Sequence, residues 1–231
     1  MSQLIKVKGL RHKATARRGR PADPGLCARR RDQILKAAAR VFARKGFDAS
    51  DVNDIAREAG IGKGTIYYHV HSKKNLFLAS VDWLMQELIA SIGAATNGVA
   101  DPLAVIESAI RAYLEFFDAH PEFAELIIQE RAVFRDRQTP TYFRYSESEK
   151  GPWRSMYLDL MRQGRIRKMP VERILDTVGS VLYGAIFTNH FAGRRKSLAQ
   201  QAKDILDICF LGMLSDSERA RKGPRNGKGS R

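Results

Sequence analysis

Residues 60–69 read GIGKGTIYYH. The first six positions hold three glycines, a lysine and a threonine, the composition of a loop that holds phosphate. Whose phosphate it holds decides the fold. A nucleotide-binding P-loop needs Lys followed directly by Ser or Thr after a strand. Here Gly64 separates Lys63 from Thr65, and the residues before the loop have helical periodicity. A dinucleotide fingerprint needs its third glycine three residues after the second, again after a strand, and Gly60, Gly62 and Gly64 satisfy neither condition. The stretch fits instead the turn of a helix-turn-helix. One helix ends at Gly60, and a short second helix over about residues 63–69 turns its free N–H groups, with Lys63 and Thr65, toward an anion. The phosphate is that of DNA.

The neighbouring segments agree. Residues 29–45 place Ile34, Ala38, Val41 and Phe42 on one helical face, and Gly46 ends the run. In SDVNDIAREAG, residues 50–60, Ser50 or Asp51 can cap a helix whose buried face is Val52, Ile55, Ala56 and Ala59. A long apolar-striped helix follows over 73–94. Another spans 102–119, with Leu103, Ile106, Ile110, Tyr113, Leu114 and Phe117 in its stripe. Pro121 opens a helix that runs to about residue 134. Further helices are expected over 142–162, 171–192 and 197–214, and no stretch alternates with the period of a strand. The predicted fold class is all-α with about nine helices. It comprises a basic disordered arm (1–27), a three-helix helix-turn-helix DNA-binding domain (28–75), a helical effector-binding and dimerisation domain (76–215) and a disordered basic tail (216–231).

Charge supports this division. The net charge of the 231-residue chain is +15. Residues 1–80 hold 18 Lys/Arg against 6 Asp/Glu, residues 81–218 hold 16 against 19, and residues 219–231 hold 6 against none. A basic first third on a slightly acidic body points to a polyanionic partner. With 44% hydrophobic and 28% charged residues the composition is that of a globular protein. Cys27 and Cys209 have no metal-ligand spacing and form no disulfide framework, which fits a cytoplasmic setting. The opening MSQLIKVKGLRHK lacks the apolar run of a signal peptide. Residues 177–193 carry no Asp, Glu, Lys or Arg, but the stretch is shorter than the roughly 20 apolar residues of a membrane span. It contains Asn189 and His190 and is read as a buried helix.

The stretch ILKAAARVFARKGFDASDVNDIAREAGIGKGTIYYHVHSKKNLF, residues 34–77, resembles the DNA-binding segment of the TetR family of bacterial transcription regulators. Ala37-Ala38, Phe42, Gly46-Phe47, Ile55-Ala56, Ala59-Gly60, Lys63-Gly64-Thr65, Tyr67-Tyr68, Ser72-Lys73 and Leu76 carry the likeness. Gly62 stands where the family commonly has Ser, and Val70 where it has Phe. The resemblance implies DNA-binding roles for matching residues. Ser50 would bond a phosphate; Lys63, Gly64 and Thr65 would meet base edges and backbone. Tyr67 and Tyr68 would lie on the sugar-phosphate chain, with the core as the alternative for Tyr68, and Lys73 would reach a phosphate. His69 and His71 have no acidic or Cys ligand nearby to make a metal site, so the pair is read as DNA contact or surface, with His69 counted among the DNA-binding residues. Upstream, ARRGRP at residues 16–21 resembles the core of an AT-hook: Gly19 and Pro21 hold the chain extended so that Arg18 and Arg20 can enter a narrow A·T minor groove. A non-specific basic tail is the alternative.

For the body, the resemblance implies a homodimer that pairs its last two helices and binds an inducer. Leu175, Val178, Leu182 and Ile186, with Ile205, Cys209 and Gly212, are the expected dimer interface. Their helices carry more apolar circumference than one core needs. Aromatic and Met side chains in the middle helices give the expected ligand residues: Trp83, Phe116, Phe123, Ile127, Phe134, Trp153, Met156, Tyr157, Tyr183, Phe187 and His190. Few ionisable groups interrupt them, so the expected effector is small and largely apolar with one or two polar anchors. No nucleophile–base pair, metal cluster or cofactor loop is apparent, so no cofactor and no catalytic residue is assigned. The expected function is a ligand-responsive repressor that binds a palindromic double-stranded DNA operator as a homodimer, in the cytoplasm and away from any membrane. A basic architectural DNA protein without a ligand, or an all-helical enzyme, is the alternative.

Overall fold

The computed structural model describes residues 24–193 and 196–212, which form ten α-helices. Three make the head: α1 (Pro24–Lys45), α2 (Val52–Ala59) and α3 (Lys63–His69). The long α4 (Lys73–Thr96) leaves the head and enters the body. The body adds α5 (Pro102–Ala119), α6 (Pro121–Val133), α7 (Thr141–Ser148), α8 (Lys150–Arg162), α9 (Val171–Ala192) and α10 (Leu198–Phe210). Among the described residues α4 is long and apolar enough to cross a membrane. It is instead packed in the body, burying Leu76, Phe77, Val81, Leu84, Met85 and Leu88 against its neighbours.

The head forms where its sequence places helix signals. Ile34, Leu35, Ala38, Val41 and Phe42 of α1 are fully buried against Val52, Ile55, Ala56 and Ala59 of α2. Polar ties hold the pair in register: Gln33 donates to the Ala59 carbonyl at 2.6 Å, and Lys45 meets Asp54 at 2.7 Å. The hydrogen bond from Lys45 lowers the Asp54 pKa. Phe42 and Phe47 from the head interlock with Phe77 of α4 and with Phe134 just beyond α6, at centroid separations of 5.0 to 5.9 Å. Gln129 of α6 adds a buried hydrogen bond to the Phe42 carbonyl at 3.0 Å. Head and body therefore share one apolar cluster, in which α6 touches the end of α1.

Three expectations are corrected. The helix expected over 142–162 is two helices, broken at Glu149. Pro152 has no N–H to return to the carbonyl of Ser148, so the chain cannot continue one hydrogen-bonded ladder through this point. The first helix starts at Pro24, inside the stretch expected as an arm; a proline is at home in a first helical turn. The uncharged stretch 177–193 is not buried in the chain. Ile186 is the one buried residue of α9, while Thr177, Ser180, Val181, Gly184, Thr188 and Phe191 are exposed. Arg18, Arg20 and the tail from residue 216 lie outside the described residues.

Candidate DNA-binding head and ligand cavity

The turn between α2 and α3 is built by Gly60. At φ 64° it takes the left-handed conformation that favours glycine, and the Ile61 N–H closes back on the Ala56 carbonyl at 3.0 Å. Asp51 caps α2 by accepting from the Asn53 N–H at 2.6 Å. Gly62 leads into α3 without a side-chain cap, as its lack of a side chain dictates.

One buried residue, Ile66, anchors α3 from within, and Val70 at its end is 7% exposed, so the smaller side chain still packs against the core. The other faces of α3 are open. Lys63 and Gly64 are exposed, Thr65 and His69 are half-buried, and the Lys63 ammonium lies 6.0 Å from the Tyr67 ring. Tyr67 is 43% and Tyr68 78% exposed, which rules out the core for Tyr68. A short rigid helix thus presents a cation, two phenols and a threonine on one exposed element, groups suited to phosphate and base edges.

Two residues expected at phosphate are placed otherwise. Ser50 is 5% exposed and its hydroxyl donates to the Gly46 carbonyl at 2.5 Å, closing the end of α1 rather than facing outward. Lys73 donates to the Asp48 carbonyl at 3.0 Å with its ammonium 4.7 Å from the Phe47 ring, so it is engaged within the head.

In the body, α4, α5, α7, α8 and α9 line a partly open cavity of about 350 Å³. Its walls are mainly aliphatic, among them Leu88, Ile92, Ile106 and Ile110, with Lys150 and Glu149 its charged lining residues. Of the expected ligand residues, Trp153 and Tyr157 line it. The others serve the packing of helices. Phe123 stacks on Phe117 at 5.0 Å, and Phe116 and Ile127 are buried in the same core. Phe134 belongs to the head–body cluster, and Trp83 and Met156 pack against the core. Tyr183 packs on Tyr142 and Phe187 packs on Tyr183, at 5.0 and 4.7 Å, and the His190 ring meets Glu125 at 3.3 Å. Most of the expected aromatic side chains fill the space between helices, while Trp153 and Tyr157 stand in the cavity wall.

The expected dimer residues divide as well. Leu175, Val178 and Leu182 face the cavity, Ile186 is buried, and Ile205 packs on the core; Cys209 and Gly212 are exposed. The outward face of α9 is a different arc of the same helix. Tyr113 and Tyr142, which meet in the cavity wall, are not among the ligand residues expected from sequence, where Tyr113 is read only as part of an apolar stripe. A tyrosine inside an apolar stripe was the available signal, since its hydroxyl must find a partner once buried.

The pattern described as "Bacterial regulatory proteins, tetR family" matches residues 34–80, from the buried face of α1 into α4. The repressor KstR2 of Mycolicibacterium smegmatis is 30% identical over 148 residues, covering 62% of this chain and 69% of that protein. The chain belongs to the TetR family. The transcriptional regulator YerO of Bacillus subtilis is also 30% identical, over 116 residues that cover 49% of this chain but only 40% of YerO. In fold, the chain resembles the transcriptional regulator FadR from Bacillus subtilis in complex with stearoyl-CoA. The TM-score is 0.63 at 19% identity, covering 79% of this chain and 99% of that one. The TetR-family pattern ends near the start of the body, so the cavity lies almost wholly beyond it.

Proposed function

We propose that this TetR-family chain is a ligand-responsive repressor. Two copies would bind a palindromic operator, and a small, largely apolar effector would release it. The observation that carries this reading is the shared aromatic cluster. It joins a head that exposes Lys63, Tyr67 and Tyr68 to a body that holds an apolar cavity. A ligand that binds one arrangement of the body better than another then biases the head, with a coupling of about 1–3 kcal/mol. An architectural DNA protein has no need of such a cavity.

The roles expected for Lys63, Gly64, Thr65, Tyr67, Tyr68 and His69 at DNA are part of this proposal, as is division into a head, a body and basic ends. Assembly is read from α9. Its outward face of Thr177, Ser180, Val181, Gly184 and Thr188 is uncharged and exposed in a single chain, which suits close approach of a second copy. Relatives and fold neighbours support a repressor with an acyl or similarly apolar ligand: KstR2 is named a repressor, and FadR was solved with stearoyl-CoA.

The test is selection of operators from random-sequence DNA with the full chain. The expected result is enrichment of one palindrome with half-sites about one helical turn apart or a multiple of it. Equal retention of all sequences at physiological salt would overturn the reading.

A further inference from the structure

The cavity is apolar with one buried exception. The hydroxyls of Tyr113 on α5 and Tyr142 at the start of α7 lie 2.7 Å apart, and the two residues, 6% and 7% exposed, both line the cavity. Two hydroxyls carry two hydrogens, and the bond between them uses one. Neither hydroxyl has another hydrogen-bond partner among the described residues, although the Tyr183 phenol lies near enough to act electrostatically on both. One O–H donor is therefore left over at the buried side of a mainly apolar space, whose other polar lining residues, Thr96, Tyr145, Ser146, Glu149 and Lys150, are half-buried or exposed. Burial pushes Tyr113 well above the ordinary phenol value and Tyr142 up to about 12, so both stay protonated donors at neutral pH.

The charged groups of the cavity narrow what that donor meets. Of its lining residues, the cation is Lys150, and its ammonium is already 2.8 Å from Glu147 and 3.5 Å from Asp176. The remaining charge is the exposed Glu149. An anion brought to the tyrosines would lose its water without gaining a free cation, which is costly. A neutral oxygen loses little and gains a hydrogen bond. At about 350 Å³ the space sits at the small end of ligand sites.

We propose that the Tyr113–Tyr142 hydroxyl pair is the polar subsite of this cavity, taking a neutral carbonyl oxygen (ketone, ester or amide) carried on a compact hydrocarbon body, in preference to an anion. The proposal rests on the reading of the cavity as the effector site and adds the chemical class of the ligand.

Three probes of nearly one shape test it on the full chain: 4-phenylbutan-2-one, (3-methylbutyl)benzene and 3-phenylpropanoate. They present a carbonyl, a branched methyl and a carboxylate at the same place. Binding is read by tryptophan fluorescence, since Trp153 lines the cavity, and by calorimetry. The ketone is expected to bind about tenfold more tightly than the other two, one hydrogen bond's worth. The double variant Tyr113→Phe/Tyr142→Phe should bring the ketone down to the hydrocarbon's affinity and leave the hydrocarbon unchanged, which also shows that the cavity survives. Undiminished ketone binding by the double variant overturns the proposal. So does tightest binding of the carboxylate, or no binding of any probe to the wild-type chain. Operator affinity measured in parallel separates the two readings. Tyrosine-dependent ketone binding that leaves operator affinity unchanged keeps the subsite and removes the switch. Release of operator by the ketone equally well in the wild-type chain and the double variant keeps the switch and removes the subsite.

Discussion

Glu130 holds Thr141. Its carboxylate, 1% exposed, accepts the Thr141 backbone N–H at 3.0 and 3.2 Å and the Thr141 hydroxyl at 2.8 Å, with Arg137 at 3.4 Å as the compensating cation. These bonds close the loop between α6 and α7. On one side of the loop Phe134 packs into the head–body cluster; on the other Tyr142 enters the cavity wall. In the proposed switch, a ligand that moves Tyr142 would act through this loop on the segment that carries Phe134.

Glu130→Ala should cost about 2–4 kcal/mol, because it strands the buried Thr141 N–H and removes the carboxylate that faces Arg137. Thr141→Val keeps the backbone bond to Glu130 but loses the hydroxyl's bonds to Glu130 and Arg137, and should cost about 1–2 kcal/mol. Urea unfolding followed by circular dichroism reads both. An unchanged midpoint for Glu130→Ala would mean that the loop closes by other means.

The head predicts a contrast between exposed and buried polar residues. Lys63→Ala and Tyr67→Ala should each weaken operator binding by about 1–3 kcal/mol with no loss of stability, since both side chains are exposed. Ser50→Ala should do the reverse, costing about 1–2 kcal/mol of stability through the missing bond to Gly46 while folded protein keeps its operator affinity. Anisotropy titrations beside melting curves decide it. A Ser50→Ala variant of normal stability and poor DNA binding would restore the phosphate role.

The head was legible in the sequence because its signals are local. Gly60 ends one helix, Ile66 is the sole inward residue of the next, and the whole pattern lies within residues 34–77. Ser50 was misplaced because a hydroxyl at a helix start can turn either way, and only the fold brings the Gly46 carbonyl within reach. The cavity was illegible for a different reason. Its walls come from five helices, and Tyr113 and Tyr142 meet across 29 positions of sequence. Periodicity marks a residue such as Leu182 as apolar, but it does not say whether that arc of α9 faces its own chain or another. The break at Glu149 was readable from Gly151-Pro152 and was overridden by the apolar stripe on either side.

Assembly can be tested on the outward arc of α9. Val181 is 38% exposed on that face, so Val181→Glu places a charge in water if the chain stays single and in an apolar interface if it pairs. The expected result is a folded monomer, seen as halved mass in light scattering with unchanged helical circular dichroism. Leu182→Glu is a different experiment, because Leu182 lines the cavity and its charge would disturb the ligand site. A Val181→Glu protein that keeps the dimer mass would move the interface off this face.

The last prediction concerns the basic stretch before α1. Residues 1–21 hold seven Lys/Arg and no Asp or Glu, and α1 begins at Pro24, so deleting residues 1–21 removes no residue of α1, α2 or α3. Operator binding should weaken and its salt dependence should become shallower, by about 0.9 in the log–log slope for each phosphate that the shortened chain no longer neutralises. Those two effects are common to any basic tail. The Arg18-Gly19-Arg20-Pro21 sequence adds a third, because arginines in an extended chain gain most where the minor groove is narrow and its potential most negative. Deletion should then weaken binding more on operators with A·T-rich flanks than on those with G·C-rich flanks. Equal weakening on both would reduce the stretch to a general electrostatic tether.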